Sequence, residues 1–490
     1  MDRRFLSPLG LVGAALAVRS AGALLRPPWH DEYFTVFLAR QSFPDLLASL
    51  RLDSGPPLPY LLTKLLTLIG LAPLAAGRLV SVAAGTLSVY LAWKAAVVAI
   101  GQRQALFLAS LLLVHPLALA FSSEGRAYAL VLLATAWAWE RLEAIRSQGR
   151  GTGGLAAAVG LACWSHGLGP ALAGAVALAS FTLPAPARRR CLAGVAAGLF
   201  SFLPWLPLAL RQPAAATAWM SDAWRALPPV ERIAAPLRLL PPLAPFGRSM
   251  DLPTFPAALT LLAAGGCAVL LARSRPPAHL LLLATVPALG LPLLAALGAP
   301  AYYPGRAEAL FLVPALALCA AGSGGGRLGS AVAAALVVAA ALATASVLQT
   351  WRAAPPPFET LFAATIRTQR PAGALVVASG HWWLDLSQAL EGSGTTYPVL
   401  AYPRCVARHP GWYDPPTCLP TAQEREELFA LLAAAPSVAL LVAPHLPVTA
   451  QLEAMAARLS LLPVLTTPAA TLYLSAQVTA PHPATPSPSR

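Results

Sequence analysis

Near its start the chain reads RPPWHDEYF, residues 26–34, at the end of an apolar run. Adjacent acids at a membrane edge cost free energy unless they have a partner or a task. Asp31 and Glu32 therefore stand out. Two further stretches carry the complementary charge: SSEGRAY, with Glu124, Arg126 and Tyr128, and YYPGRAE, with Tyr303, Arg306 and Glu308. A carboxylate within hydrogen-bond reach of a hydroxyl can take its proton. A guanidinium binds phosphate bidentately and keeps its charge. Together these residue types can deprotonate an alcohol and hold an anionic group. Each also has a plainer reading. Asp31 can cap a helix over Tyr33–Arg40, Glu32 can be a solvated interface residue, and Arg126 can pair with Glu124 or snorkel. His166 in WSHG sits at a helix end, where a structural role is the commoner one. Asp53, just before SGPPLPY, can align a substrate. The run His30–Asp31–Glu32 could contact a divalent cation, but adjacent residues rarely ligate one ion together and no second His-rich motif exists. No metal or other cofactor is expected.

The elements that must position these residues follow from composition. Of 490 residues, 57% are hydrophobic and only 11% charged, where a soluble chain carries about 25% charged residues. Mean hydropathy is +0.63. The expectation is an α-helical polytopic membrane protein. Its formal charge of +14 comes almost wholly from arginine, since Lys64 and Lys94 are the only lysines. The arginines fall in short gaps between apolar runs, which is the pattern of cytoplasmic loops and not of a nucleic-acid binder. At roughly 20 apolar residues per crossing, the runs 6–25, 78–100, 104–121, 128–146, 153–166, 168–184, 191–210, 256–272, 278–298, 307–323 and 329–349 predict about eleven transmembrane helices. The run Pro56–Leu74 reads as an interfacial helix. With Arg3 and Arg4 inside, alternation puts the other arginine clusters inside too. The carboxylates, Arg126 and Arg306 then share the outer side. The first run is read as an uncleaved helix and not as a signal peptide.

The composition changes after Gln349. Short β-rich runs (GALVVASG, SVALLVAP, ATLYLSAQV) alternate with helical stretches such as 421–434, which predicts a small extracytoplasmic α/β domain over 351–479. A transmembrane domain would fill 1–350, and the Pro/Ser-rich tail 480–490 reads as disordered. Cys405 and Cys418 lie in a polar segment. On the outside, where oxidation is permitted, they are expected to pair. GSGGGR at 322–327 lacks the Lys-Ser/Thr ending and preceding strand of a phosphate loop and reads as a connector.

Three segments in order carry a resemblance: HDEYFTVFLARQSF; then PPLPYLLTKLLTLIG followed by AGRLVSVAAGTLSVYLAW; then FSSEGRAYALVLL. The chain resembles the polyprenyl-phosphate-sugar-dependent glycosyltransferases of the GT-C superfamily, of the protein O-mannosyltransferase and lipid A aminoarabinose transferase type. The likeness is good over about the first 210 residues and only architectural at the C-terminus. It implies a multi-span bundle in a bacterial inner membrane with an extracytoplasmic active site. It also implies inverting transfer of a sugar from a polyprenyl-phosphate donor to an acceptor hydroxyl on a protein, lipid or glycan. On this resemblance Asp31 falls at the catalytic acidic position and Glu32 is the second acid. Arg126 and Tyr128 face the donor phosphate, and Arg306 is a second phosphate contact by a looser match. Asp53, His166 and Tyr303 are candidate substrate contacts. In the family a polar residue often precedes the Pro-Pro pair. Here Ser54-Gly55 stand there, which leaves the acceptor open.

Two other classes compete. A glycolipid transporter or flippase would place charges near mid-span and show an internal repeat; the charges here gather in loops, and no repeat is visible. A catalytically inactive polyprenyl-lipid-binding scaffold would share every feature above. Geometry separates it: a working enzyme needs Asp31, Arg126 and Arg306 at one cavity.

Overall fold

The protein is described from a computed structural model, which covers residues 8–235, 237, 257–324, 326–371, 373–391, 397–411 and 418–475. The tail 480–490 lies outside the described residues. The chain divides into two compact units, Met1–Ala354 and Pro355–Arg490.

The first unit is helical. It opens with α1 (Pro8–Leu25), α2 (His30–Arg40), α3 (Phe43–Leu50), α4 (Leu58–Leu68) and α5 (Pro73–Ala99). Then come α6 (Gln102–Leu113), α7 (Pro116–Ser123), α8 (Tyr128–Gln148), α9 (Thr152–Ser165), α10 (Gly169–Ser180) and α11 (Ala185–Ser201). Short helices α12 (Leu206–Ala209), α13 (Ala215–Ala226) and α14 (Pro229–Ala234) lead to α15 (Ala257–Arg273) and α16 (Ala278–Ala296). The unit closes with α17 (Leu312–Gly322) and α18 (Gly326–Ala353).

Prolines explain the breaks. Pro27 and Pro28 disfavour helix in the residues before them, so α1 stops at Leu25 and α2 leaves at 95° to it. Because α2 starts at His30, not Tyr33 as expected, Asp31 lies in its first turn while Trp29 holds the cap position. The expected span 104–121 is two helices bent by 57°. Pro116 has no N–H to continue the ladder, and His115 Nδ1 accepts the Leu117 N–H at 3.2 Å instead. Among the described residues, three helices, α5, α16 and the one that α18 begins, are by length and composition long and apolar enough to cross a membrane, or up to five if each bent pair is one span. The difference from eleven comes from runs that fold as shorter apolar helices, such as α9, α10 and α17. Pro56–Leu74 forms the short helix α4 and then the start of α5.

Small residues let these helices approach, as membrane bundles require. A methyl added to Gly85 of α5 would overlap Ser122 of α7, and one on Gly22 of α1 would overlap Ser123.

The second unit is a three-layer α/β fold. Its five-stranded sheet has the order β2-β1-β3-β5-β4, with β1 (Leu375–Ser379), β2 (Val399–Tyr402), β3 (Val438–Val442), β4 (Leu462–Thr466) and β5 (Thr471–Leu474). β2, β1 and β3 are parallel, while β5 and β4 are antiparallel. β1, β3 and β5 lie in the three expected runs; β2 and β4 were not anticipated. Side chains alternate along β1. Val376 and Ala378 pack with Phe362, Ile366 and Leu386 on one face, and Val377 packs with Leu428, Leu432 and Leu452 on the other. The helix expected at 421–434 spans Ala422–Ala434. Cys405 and Cys418 form a disulfide.

Candidate active site

The scaffold of the site is a pair of buried ion pairs. Glu32 on α2 accepts Arg78 Nε at 2.8 Å and Arg78 Nη2 at 2.7 Å, a fork-to-fork pair with α5. It also accepts the Gly125 N–H at 2.8 Å. Arg78 Nη1 donates to the carbonyls of Ala23 and Arg26 at 2.6 and 2.9 Å, tying down the end of α1. Arg26 lies 2.8 Å from Glu124, both nearly inaccessible. The loop 124–127 is thus gripped on two sides. Gly125 is required there, because a Cβ would lie 3.3 Å from the Gly77 backbone. Glu32, expected as a second catalytic acid, is only 1% exposed, with Arg78 and the Gly125 N–H on its carboxylate. Glu124 pairs with Arg26 and not with Arg126, as the plainer reading of that arginine would have had it.

The clamp leaves its neighbour free to face the other way. The Asp31 carboxylate lies 3.1 Å from Arg306 Nη2 and 3.7 Å from Arg126 Nη2. Its side chain keeps 19% exposure, enough for a small group to reach. Burial opposes ionisation of Asp31, but Arg126 and then Arg306 outweigh it and hold the carboxyl below its usual range. Arg126 Nη1 also donates to the Asp31 carbonyl at 3.2 Å and to the Tyr60 hydroxyl at 3.4 Å. Tyr60 in turn donates to Asp53 at 3.4 Å. Arg306 is collared by rings, its guanidinium carbon 5.1 Å from Tyr303, 5.3 Å from Trp219, 5.5 Å from Trp29 and 5.8 Å from Tyr128. Such cation–π contacts hold a charge without consuming its N–H donors.

Both arginines open on a cavity of about 430 Å³. Asp53, Tyr128, His166 and Tyr303 line it too, and Leu168, Ala171, Leu291 and Leu294 give it an apolar wall. His166 Nδ1 accepts the Leu168 N–H at 3.1 Å. With Nδ1 accepting that bond, Nε2 is the ring nitrogen left to carry the proton. Its ring lies 5.5 Å from that of Tyr128.

The structure thus brings Asp31, Arg126, Arg306, Tyr128, Tyr303, His166 and Asp53 to one place. His30, Asp31 and Glu32 do not converge on a common point, since Glu32 turns to Arg78 and Asp31 to Arg306. Asp222 is elsewhere, in an exposed pair with Arg225. Tyr60, Arg78 and Trp219 went unread. Arg78 lies in the quoted segment AGRLVSVAAGTLSVYLAW, where it was not singled out. Tyr60 ends the quoted PPLPY and could have been found from it.

Residues 54–208 match the family described as dolichyl-phosphate-mannose-protein mannosyltransferase. Among curated proteins none matches in sequence. Among solved structures, ArnT from Cupriavidus metallidurans bound to undecaprenyl phosphate matches with a TM-score of 0.65 at 15% identity, over 97% of this chain and 98% of that one. Its apo state matches with a TM-score of 0.64 at 15% identity, over 95% and 97%. The chain has the fold of ArnT, and over 54–208 it carries the sequence pattern of the dolichyl-phosphate-mannose-protein mannosyltransferases.

Proposed function

We propose that the protein is a membrane glycosyltransferase. It transfers a sugar from a polyprenyl-phosphate donor to an acceptor hydroxyl on the extracytoplasmic face, with inversion and with Asp31 as general base. The observation that carries this reading is a partly exposed carboxylate paired with two arginines that open on one cavity, with an apolar wall beside them.

The chemistry follows from those groups. The donor phosphate takes N–H donors from Arg126 and Arg306, with the Tyr128 hydroxyl beside them. The polyprenyl chain runs along Leu168, Ala171, Leu291 and Leu294. The acceptor oxygen attacks the anomeric carbon opposite the phosphate and passes its proton to Asp31. The new C–O bond forms as the bond to the phosphate oxygen breaks, through an oxocarbenium-like state. The electron pair leaves on the phosphate, where the two guanidiniums stabilise it. A phosphate leaving group needs no acid, so one carboxylate suffices. One displacement inverts the centre.

In this reading residues 1–350 are the transferase unit of a bacterial inner-membrane protein, and 351–479 form an extracytoplasmic domain. The fold of ArnT, in a structure bound to undecaprenyl phosphate, supports the choice of donor. The test is to incubate membranes holding the protein with a panel of radiolabelled polyprenyl-phosphate sugars and follow the label. Label passing to a new acceptor, and lost in Asp31→Asn, is expected. Movement of intact lipid across the bilayer without transfer would make the protein a flippase. Binding without either would make it a scaffold.

A further inference from the structure

Helix α13 carries two tryptophans, and the segment after α16 carries two adjacent tyrosines. They meet in two pairs with opposite fates. Trp224 is 3% exposed and packs edge-on against Tyr302 at 5.4 Å, while the Tyr302 hydroxyl donates to Glu308 at 2.6 Å. This pair anchors α13 to the bundle. Trp219 packs edge-on against Tyr303 at 4.9 Å, and both rings line the cavity. Trp219 stays 38% exposed. Its indole N–H is already taken by the Ala216 carbonyl at 3.0 Å, so what it offers the cavity is ring surface alone.

We propose that Trp219, with Tyr303 at its edge, is the platform on which the donor sugar ring stacks, and so a specificity-determining residue. This rests on the glycosyltransferase reading above. The argument is one of reach. The anomeric carbon must lie between a phosphate held by Arg126 and Arg306 and an acceptor oxygen near Asp31. The sugar therefore occupies the space next to Arg306. The Trp219 and Tyr303 rings bound that space, at 5.3 and 5.1 Å from the Arg306 guanidinium carbon. A pyranose has one face of C–H groups, which suits an electron-rich ring with no free donor. The edge-on tyrosine limits how far an axial substituent can project on that side. The indole thus reads the sugar's face, and the arginines read the phosphate that every donor shares.

The experiment compares two probes on the full-length protein in detergent, without acceptor: undecaprenyl phosphate and the best sugar-bearing undecaprenyl phosphate from the labelled panel. In the wild type the sugar-bearing lipid binds more tightly. Trp219→Ala and Trp219→Leu are expected to lose that margin, a change of roughly ten-fold for one aromatic contact. Binding of bare undecaprenyl phosphate should stay within about two-fold. Trp219→Phe, which keeps a ring face, should recover most of the margin. Equal weakening of both probes would overturn the platform and leave Trp219 as packing for Arg306. Full affinity in Trp219→Leu would overturn it in favour of a simple apolar plug. If the wild type binds bare and sugar-bearing lipid alike for every sugar, the platform fails, and label transfer in the same panel decides separately whether the transferase reading stands.

Discussion

Asp31 and Arg306 are 275 residues apart in sequence, and their side chains meet at 3.1 Å. The carboxylate occupies the donors that an incoming phosphate would use. On the proposed reading, a donor phosphate competes with Asp31 for these guanidiniums, and its binding weakens the hold of the charges that keep Asp31 a weak base.

Asp31→Asn is expected to fold and to lose transfer by a factor on the order of 10²–10⁴, the usual loss for a missing general base. The amide keeps the shape but cannot accept the proton. Bare polyprenyl phosphate should bind at least as well as to the wild type, because its competitor has lost its charge. Transfer rates and lipid affinity measured side by side check both halves; near-normal turnover would remove Asp31 from the chemistry.

The exchange of partners predicts a difference between two pH profiles. In the free enzyme the arginines hold Asp31 below its usual range, so the acid limb of kcat/KM should lie below about 4. With the phosphate on the arginines, the acid limb of kcat should lie at higher pH. Coincident limbs would argue against the exchange. The stability sign is also set. A carboxyl with a depressed folded value contributes stability above its unfolded pKa of about 3.9, and loses it as pH falls through the lower folded value.

Arg126→Lys and Arg306→Lys should each weaken phosphate binding by roughly 10–100-fold, the worth of a charged hydrogen bond. Lysine keeps the charge but not the planar fork. Titration with bare undecaprenyl phosphate reads this directly, and wild-type affinity in both variants would move the phosphate elsewhere.

Glu32→Gln should injure stability, not chemistry. It leaves Arg78 buried without its anion, at a cost of about 3–5 kcal/mol for a broken buried pair. A large drop in thermal midpoint is expected for Glu32→Gln and a small one for Asp31→Asn. The reverse order would return Glu32 to the list of reacting groups.

Cys405→Ser should lower the stability of the second unit by about 3 kcal/mol, from the loss of a short closed loop. In whole cells the pair should resist thiol labelling until a reductant is added. A reporter fused after Thr479 should be active only outside the cytoplasm. Free thiols together with an active cytoplasmic reporter would place that unit inside.

Much of the site was legible because charge is scarce in this chain. In a background so apolar, the Asp-Glu pair and the arginines of SSEGRAY and YYPGRAE are conspicuous, and Asp31 does lie beside Arg126 and Arg306. Sequence could not say which of the two adjacent carboxylates reaches Arg126 and Arg306. Successive residues on a helix point about 100° apart, so one of two adjacent acids must turn inward, and its partner, Arg78, was not singled out. The helix lengths differ from the apolar runs for a related reason. Hydropathy records where apolar residues are, but Pro and Gly decide whether the axis runs on or breaks, as at His115–Pro116. β2 is flanked by Pro398 and Pro403, and β4 contains Pro463, and proline reads as a loop signal and not as a strand.

The wide separation of Asp31 from Arg306 also sets the timing of biogenesis. At roughly 5–20 residues per second, synthesis of the intervening 275 residues takes roughly 15–55 s. Arg78 and Arg126 are made early in that interval and Arg306 only at its end, so Asp31 waits for its second guanidinium until almost all of the first unit exists.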